Sequence, residues 1–188
     1  MNFDFLENGT STPAWMQEKY KKMGQILRDA ECLYWEDPRA CGILIREAAV
    51  EICRVYDRFY EVGFDSGASM EEYLCYTGDD AHNILVSRFL SVVRKEQRDR
   101  LTKLRVLGDD CQNGRGEEEM TEFENRMAGN AKRMMETMMG TLAVMCEKIN
   151  GQTFAKELRF EEGLIPERKQ KELPKEEKQS FFSKLFKK

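Results

Sequence analysis

The sequence has very little histidine and no long apolar run. Its 188 residues include one histidine, His82, and four prolines. No apolar stretch approaches the ~20 residues that a membrane-spanning helix needs. Residues 1–7 also lack the basic and then apolar plan of a secretory signal. We therefore expect a cytoplasmic protein without a transmembrane span.

Common metal and cofactor motifs are missing as well. The six cysteines are scattered without a Cys-x-x-Cys pair, whereas a structural zinc site takes closely spaced ligands. The sequence contains no phosphate-binding Gly-x-x-x-x-Gly-Lys loop, no Gly-x-Ser-x-Gly turn and no Gly-x-Gly-x-x-Gly fingerprint. We expect reduced thiols, no metal and no cofactor, and we favour a protein that is not a conventional enzyme.

Helix signals dominate what is present. Ser11-Thr12-Pro13 and Asp37-Pro38 are typical helix starts, Ser69-Met70-Glu71-Glu72 resembles a capping box, and apolar residues recur at helical spacing between them. The second helix is predicted to run to about Val62 and to lie centrally in a bundle, because it is apolar on more than one side. Its predicted buried face is Ala40, Leu44, Ala48, Ile52, Tyr56 and Phe59.

Two further helical segments are predicted. Asp79-Asp80 caps the first of them, in which Ile84, Leu85, Phe89, Leu90 and Val93 form the apolar stripe. Residues 117–149 form one long helix that contains seven methionines. We interpret these methionines as a core or a dimer seam, with an adaptable partner groove as the alternative. The fold class is therefore predicted to be an all-α bundle with a long Met-rich C-terminal helix.

The charge of the chain is unevenly distributed. Residues 166–188 contain eight Lys or Arg and four acids, a net +4, so residues 1–165 carry a net −8 given the total of −4. We divide the chain into an N-terminal arm (1–12), a bundle domain (13–165), a charged linker (166–179) and a basic amphipathic tail (180–188). An acidic body is a poor general binder of nucleic acid, because phosphate contacts are mainly electrostatic. Attraction to polyanions should centre on the tail or on a local patch.

Two short motifs carry a family resemblance. Residues 104–114 read Leu-Arg-Val-Leu-Gly-Asp-Asp-Cys-Gln-Asn-Gly. They resemble the Leu-Arg-x-Leu-Gly-Asn-x-x-x-His-Gly motif of a bacterial helical domain found alone and at the front of type I restriction motor subunits, within the HEPN-like group. Asp37-Pro38-Arg39-Ala40 and the following residues 43–53 are similar to the Asp-Pro-x-x-Ala start and core helix of that family. The resemblance covers about residues 13–150.

The resemblance implies a HEPN-like bundle with a candidate site at Arg105, Asp109 and Asn113, joined by Arg46 on the core helix. Active members of the group cleave RNA with an Arg followed a few residues later by a His. Here Asn113 stands at the histidine position, and an amide cannot act as a general base near neutral pH. His82 has the wrong order and spacing to replace it. The resemblance therefore points to the fold and argues against the reaction.

A structural role is the favoured interpretation of this degenerate motif. We predict that Arg105 pairs with Glu47 or Glu51 of the central helix. Asp109, Asp110 and Asn113 would then cap the end of their own helix and the loop that follows.

The C-terminal tail suggests a binding segment. In a helix its apolar residues would share one face, and its lysines suit anionic lipid headgroups. We rank docking onto a protein partner, onto its own domain or onto a second copy first. An anionic membrane surface comes second, and a clamp-binding peptide beginning at Gln179 third. The candidate contact residues are Phe181, Phe182, Lys184, Leu185, Phe186, Lys187 and Lys188.

The leading functional hypothesis is a non-catalytic protein-interaction module that binds a protein partner or itself as a homodimer. The resemblance would place it in a bacterial or phage defence or counter-defence system. One alternative is a divergent HEPN-like ribonuclease, or a nucleic-acid- or nucleotide-binding protein, around Arg105 and Arg46. The other is a protein held at the inner face of the membrane by the tail.

Overall fold

The structure, a computed structural model, describes residues 3–6, 13–152 and 158–165. In these ranges the chain forms α-helices and two short 3-10 turns, without a β-strand, which confirms the all-α prediction. The helices are α1 (Ala14–Leu33), α2 (Pro38–Tyr60), α3 (Met70–Leu74), α4 (Asp80–Val92), α5 (Lys95–Gln112) and α6 (Met120–Asn150). Across the described part of the chain, no helix is both long enough and apolar enough to cross a membrane.

Local capping explains where three of the helices begin. Asp37 accepts a hydrogen bond from the backbone N–H of Ala40 at 2.9 Å, just ahead of the proline that opens α2. Asp79 caps α4 in the same way, and Ser69 and Glu72 form a capping box at the start of α3. Each of these contacts satisfies an N–H that has no partner inside the helix. The three predicted starts are confirmed.

α2 lies at the centre of the bundle, as predicted. It packs along α1, α5 and α6 and also touches α3 and α4, and Ala48, Ile52 and Tyr56 are buried on it. The predicted burial of Phe59 is wrong, because this residue lies in the last turn of α2 and its ring is 40% exposed. It packs edge-on against Tyr60, with 4.9 Å between ring centroids.

α2 also ends slightly before the predicted Val62. Glu61 has a left-handed backbone conformation, with φ of 53°. The carboxylate of Asp57 then accepts hydrogen bonds from the N–H groups of Gly63 and Phe64 at 2.9 and 3.3 Å. These contacts turn the chain toward α3 and stop the helix.

The methionines of α6 belong mainly to the interior of the domain. Six of the seven are buried, and Met120 at the start of the helix is 52% exposed. The buried ones pack in the same hydrophobic core as α2 and α5, which accounts for the regular spacing of apolar residues along α6. A core role is therefore the correct interpretation for these six methionines within this chain. The buried set is Met127, Met134, Met135, Met138, Met139 and Met145.

The segment after Asp80 folds as two helices separated by extended residues. Val93 is buried and has an extended backbone, with φ of −90° and ψ of 124°. This extended residue separates α4 from α5, although no Gly or Pro marks the break in the sequence. The buried face of α4 is centred on Val86 and Phe89, so the predicted burial of Ile84 is wrong and this side chain is 54% exposed.

Two residues near the N-terminus pack against the helical bundle. Phe3 and Leu6, which fall in the predicted N-terminal arm, are buried in the same core as the helices. The predicted cap at Ser11-Thr12, the linker (166–179) and the tail (180–188) lie outside the described residues.

Candidate functional site

Arg105 lies on α5, where it takes part in a cluster of ion pairs. Its Nη1 is 3.1 Å from Oδ2 of Asp109, one turn further along the same helix. The other oxygen of Asp109 is 2.9 Å from Nε of Arg46 on α2, and Nη2 of Arg46 is 2.7 Å from Glu71 on α3. The cluster therefore joins three helices. Three of the four residues of the predicted site meet here, which are Arg46, Arg105 and Asp109.

The partner predicted for Arg105 is wrong. Glu47 is an exposed residue of α2, and Glu51 pairs with other cations on the α1 side of that helix. Arg105 instead reaches the carboxylate four residues along its own helix, which is the spacing at which helical side chains are neighbours. Arg46, and not Arg105, connects the motif to the central helix.

Gly108 explains why the motif contains a glycine. A Cβ atom at this position would lie 2.6 Å from both Cβ and Cδ of Arg46, closer than real side chains approach. The absence of a side chain lets α5 pack directly on the stem of Arg46. Asp109 then stands beside the guanidinium of Arg46. The Gly-Asp part of the motif thus builds a helix–helix contact.

The second acid of the motif holds α5 to α6. Asp110 pairs with Arg126 and accepts a hydrogen bond from Nδ2 of the buried Asn130 at 2.6 Å. Arg126 also binds Glu118 at 2.6 Å. Burial raises the pKa of the Asp110 carboxyl, but the contacts with Arg126 and Asn130 outweigh it and hold the pKa below its ordinary value. The predicted capping role of Asp110 is therefore replaced by an interhelical ion pair.

Asn113 is separate from this cluster. It is an exposed residue that follows α5 as its C-cap, with its backbone N–H bonded to the carbonyl of Asp109 at 3.0 Å. His82 lies near the start of α4, where its Nε2 is 3.2 Å from the carbonyl oxygen of Cys75. It is partly exposed, as expected, and packs edge-on against Phe64. Chemically, the cluster around Arg105 is suited to holding helices together.

A different surface, between α1 and α2, concentrates positive charge. Here a cavity of about 690 Å³ contains five cations and one acid in its lining. We call this surface the basic groove and define it by its lining residues. They are Trp15, Glu18, Lys19, Lys21, Lys22, Gln25 and Arg28 of α1 and Arg58 of α2.

A buried carboxylate holds two lysines of the basic groove. Glu51 of α2 has no exposed side-chain surface and binds three cations: Lys22 at 2.7 Å, Lys19 at 3.0 Å and Arg54 at 2.6 Å. Burial raises the pKa of Glu51, but the hydrogen bonds from Lys22 and Lys19 outweigh it, so the pKa lies below its ordinary value. One carboxylate thus holds three cationic side chains in place, and because it neutralises only one of their charges the surface stays positive overall.

Two other cations of the groove make no ion pair within the described residues. Lys21 is exposed. Arg58 places its guanidinium carbon 4.5 Å from the ring centroid of Trp15, which is cation–π geometry. Because a cation–π contact leaves the N–H groups at the guanidinium edge available, both residues can bind an anion.

A second cavity of about 480 Å³ continues from the groove toward α3. It shares Lys19 and Arg58 with the groove and also contains Arg54. Asp57 and Glu61 line it as well, so its cations and acids nearly balance. The excess positive charge therefore lies in the groove.

Sequence reasoning missed the basic groove, although signals for it were present. Lys19 and Lys22 are three residues apart on α1, and Arg54 and Arg58 are four apart on α2, so each pair shares a helix face. The short connection between α1 and α2 makes them antiparallel neighbours. In the structure Arg58 contacts Trp15, and Glu51 binds Lys22. These two contacts align α1 with α2 so that the two basic faces meet.

Metal binding and known relatives give no further assignment. Within residues 3–6, 13–152 and 158–165, no three His, Cys, Asp or Glu side chains are grouped as metal ligands would be. No protein-family model, curated protein or solved structure gives a significant match to the chain. The HEPN-like assignment therefore stays a prediction that depends on the two short motifs.

Proposed function

We propose that this protein is a non-catalytic interaction module that binds an anionic macromolecule in the basic groove. The observation that carries the proposal is the charge of this surface, since five cations and one acid line it on a body whose net charge is −8 by sequence. Clefts lined by one sign of charge focus the local field and raise the on-rate of oppositely charged partners.

The state of the HEPN-like motif supports a binding role over a catalytic one. Both carboxylates of the motif, Asp109 and Asp110, are ion-paired, and Asn113 is an exposed amide that cannot exchange a proton near neutral pH. A ribonuclease centred on Arg105 would have to break the pair with Asp109 before the arginine could hold phosphate.

Charge reversal at Lys21 and Arg58, which make no ion pair among the residues that the structure describes, tests the proposal. The groove variant is the double substitution Lys21→Glu with Arg58→Glu. The control is Lys95→Glu with Lys103→Glu, at two exposed lysines of α5, and it changes the net charge by the same amount. Retention of the full-length protein on an immobilised polyanion should fall clearly for the groove variant and little for the α5 variant. Equal losses would mean that net charge and the tail, not the groove, attract the anion.

Three further proposals come from the sequence. These are the homodimer, the place in a defence or counter-defence system, and membrane or partner docking through Phe181 to Lys188. The tail lies outside the described residues. Co-sedimentation of the full-length protein and of a 1–178 truncation with anionic vesicles tests the membrane alternative directly.

A further inference from the structure

We infer that the anionic macromolecule is a protein, and that the basic groove takes an acidic extended segment of it. This inference rests on the proposed function, because it requires that the groove bind anions. It adds the class of the partner and the way in which the partner lies on α1.

The length of the groove fits a short peptide. Its lining residues on α1 run from Trp15 to Arg28, which corresponds to roughly 20 Å at 1.5 Å per residue. An extended segment of about six residues spans the same distance. Alternate side chains of such a segment point to the same side, about 6–7 Å apart. Three acidic side chains can thus face the groove at once.

The cations are held in a way that favours carboxylate binding. Each lysine ammonium has three N–H donors, and Glu51 accepts from Lys19 and from Lys22 while leaving both partly exposed, at 32% and 49%. Binding then costs less side-chain entropy, because these lysines are already restrained. Arg58 presents a planar guanidinium, which suits bidentate contact with a carboxylate.

The lining of the groove offers one aromatic side chain, which is a poor match for single-stranded nucleic acid. Such ligands bind by stacking bases on aromatic side chains along a charged track. Trp15 is the aromatic residue in the groove lining, and the guanidinium of Arg58 already covers one face of its ring. A base would have to displace this contact before it could stack there.

Acids at the groove also disfavour a continuous phosphate chain. Glu18 lies within the lining, and Asp57 and Glu61 lie in the adjoining cavity. A nucleic acid has a negative charge at every nucleotide, so a strand that follows the groove into this cavity would place some of these charges against carboxylates. A protein segment can place a neutral or basic residue at those points, so the mixed pattern matches a peptide better.

Binding of two labelled probes to the full-length protein tests the inference. One probe is a peptide of about six residues in which Glu alternates with Ser, and the other is a poly-uridine RNA of equal charge. Fluorescence anisotropy at about 0.15 M salt is measured for the wild type, for Lys21→Glu with Arg58→Glu, and for the α5 control Lys95→Glu with Lys103→Glu. Thermal unfolding by circular dichroism checks that each variant is folded.

We expect the wild type and the α5 control to bind the peptide more tightly than the RNA, and the groove variant to lose at least about tenfold in peptide affinity. If the wild type binds RNA more tightly than the peptide and the groove variant loses RNA binding, the protein-segment inference is overturned. The anion-binding function would still stand. If neither probe distinguishes the groove variant from the α5 control, the proposed function fails as well.

Discussion

Replacement of Glu51 by glutamine removes the negative charge beneath the basic groove while nearly keeping the shape of the side chain. Loss of one partner from a buried ion pair costs ~3–5 kcal/mol. Lys19 and Lys22 are 32% and 49% exposed and recover contact with water, whereas Arg54 is 23% exposed and its buried Nε already has no acceptor. The glutamine oxygen still accepts one hydrogen bond, so we expect a loss of about 2 kcal/mol.

The effect should depend on pH with a defined sign. The pKa of Glu51 is lower in the folded protein than its ordinary value, so its contribution to stability is present above about pH 4.3 and is lost as the pH falls through the folded pKa. The difference between wild type and Glu51→Gln should therefore be largest near neutral pH and should shrink on acidification.

Urea denaturation followed by circular dichroism measures this difference between about pH 7 and about pH 3. In thermal melts at neutral pH, about 2 kcal/mol corresponds to roughly 4–8 °C for a chain of this size. Glu47→Gln is the matched control, because Glu47 is an exposed residue of the same helix and should change stability by less than ~0.5 kcal/mol. A Glu51→Gln loss as small as that of the control, or one that does not vary with pH, would refute the assigned role of the buried carboxylate.

Four further outcomes are expected. Gly108→Ala should destabilise the protein by up to ~2 kcal/mol, because an overpacking cost of up to ~3 kcal/mol outweighs the ~1 kcal/mol gained in helix propensity. A Cβ atom at Gly129 would have no neighbour within 4 Å, so Gly129→Ala should stabilise the protein by up to ~1 kcal/mol in the same urea titration. If both alanine variants changed the free energy of unfolding in the same direction, the packing described at Gly108 would be contradicted. With Ellman's reagent the exposed thiol of Cys32 should react quickly. The thiol of Cys41 should react slowly, because burial raises its pKa to about 12. Labelling of both thiols at the same rate in the folded protein would contradict the burial of Cys41. Asn113→His should produce no ribonuclease activity, because the motif arginine stays ion-paired, and RNA cleavage by this variant would revive the nuclease alternative.

Helix positions were largely predictable because their causes are local. A side-chain cap needs the residue itself and backbone N–H groups two or three positions away, as at Asp37 and Asp79. Apolar spacing alone indicated that α2 is central and that α6 is one long helix. The errors occur where packing ends, at Phe59 in the last turn of α2 and at Ile84 on the outer side of α4.

Ion-pair partners were not predictable because they depend on how helices are rotated against each other. The sequence shows that Arg105 lies near acids on α5, but Arg46 reaches Asp109 only because Gly108 lets the two helices come close. The motif could therefore be found in the sequence, but its structural role could not.

The sequence by itself determined the all-α class, most helix starts, the Met-rich core helix and the acidic balance of the body. These properties depend on composition, capping and apolar spacing, which act within a few residues. Only the tertiary structure decided where charge accumulates, because the antiparallel packing of α1 on α2 places Lys19, Lys22 and Arg54 around one buried Glu51. Net charge is a sum over the whole chain, whereas binding depends on the field at one surface, and folding is what brings distant charges within a few ångströms of each other.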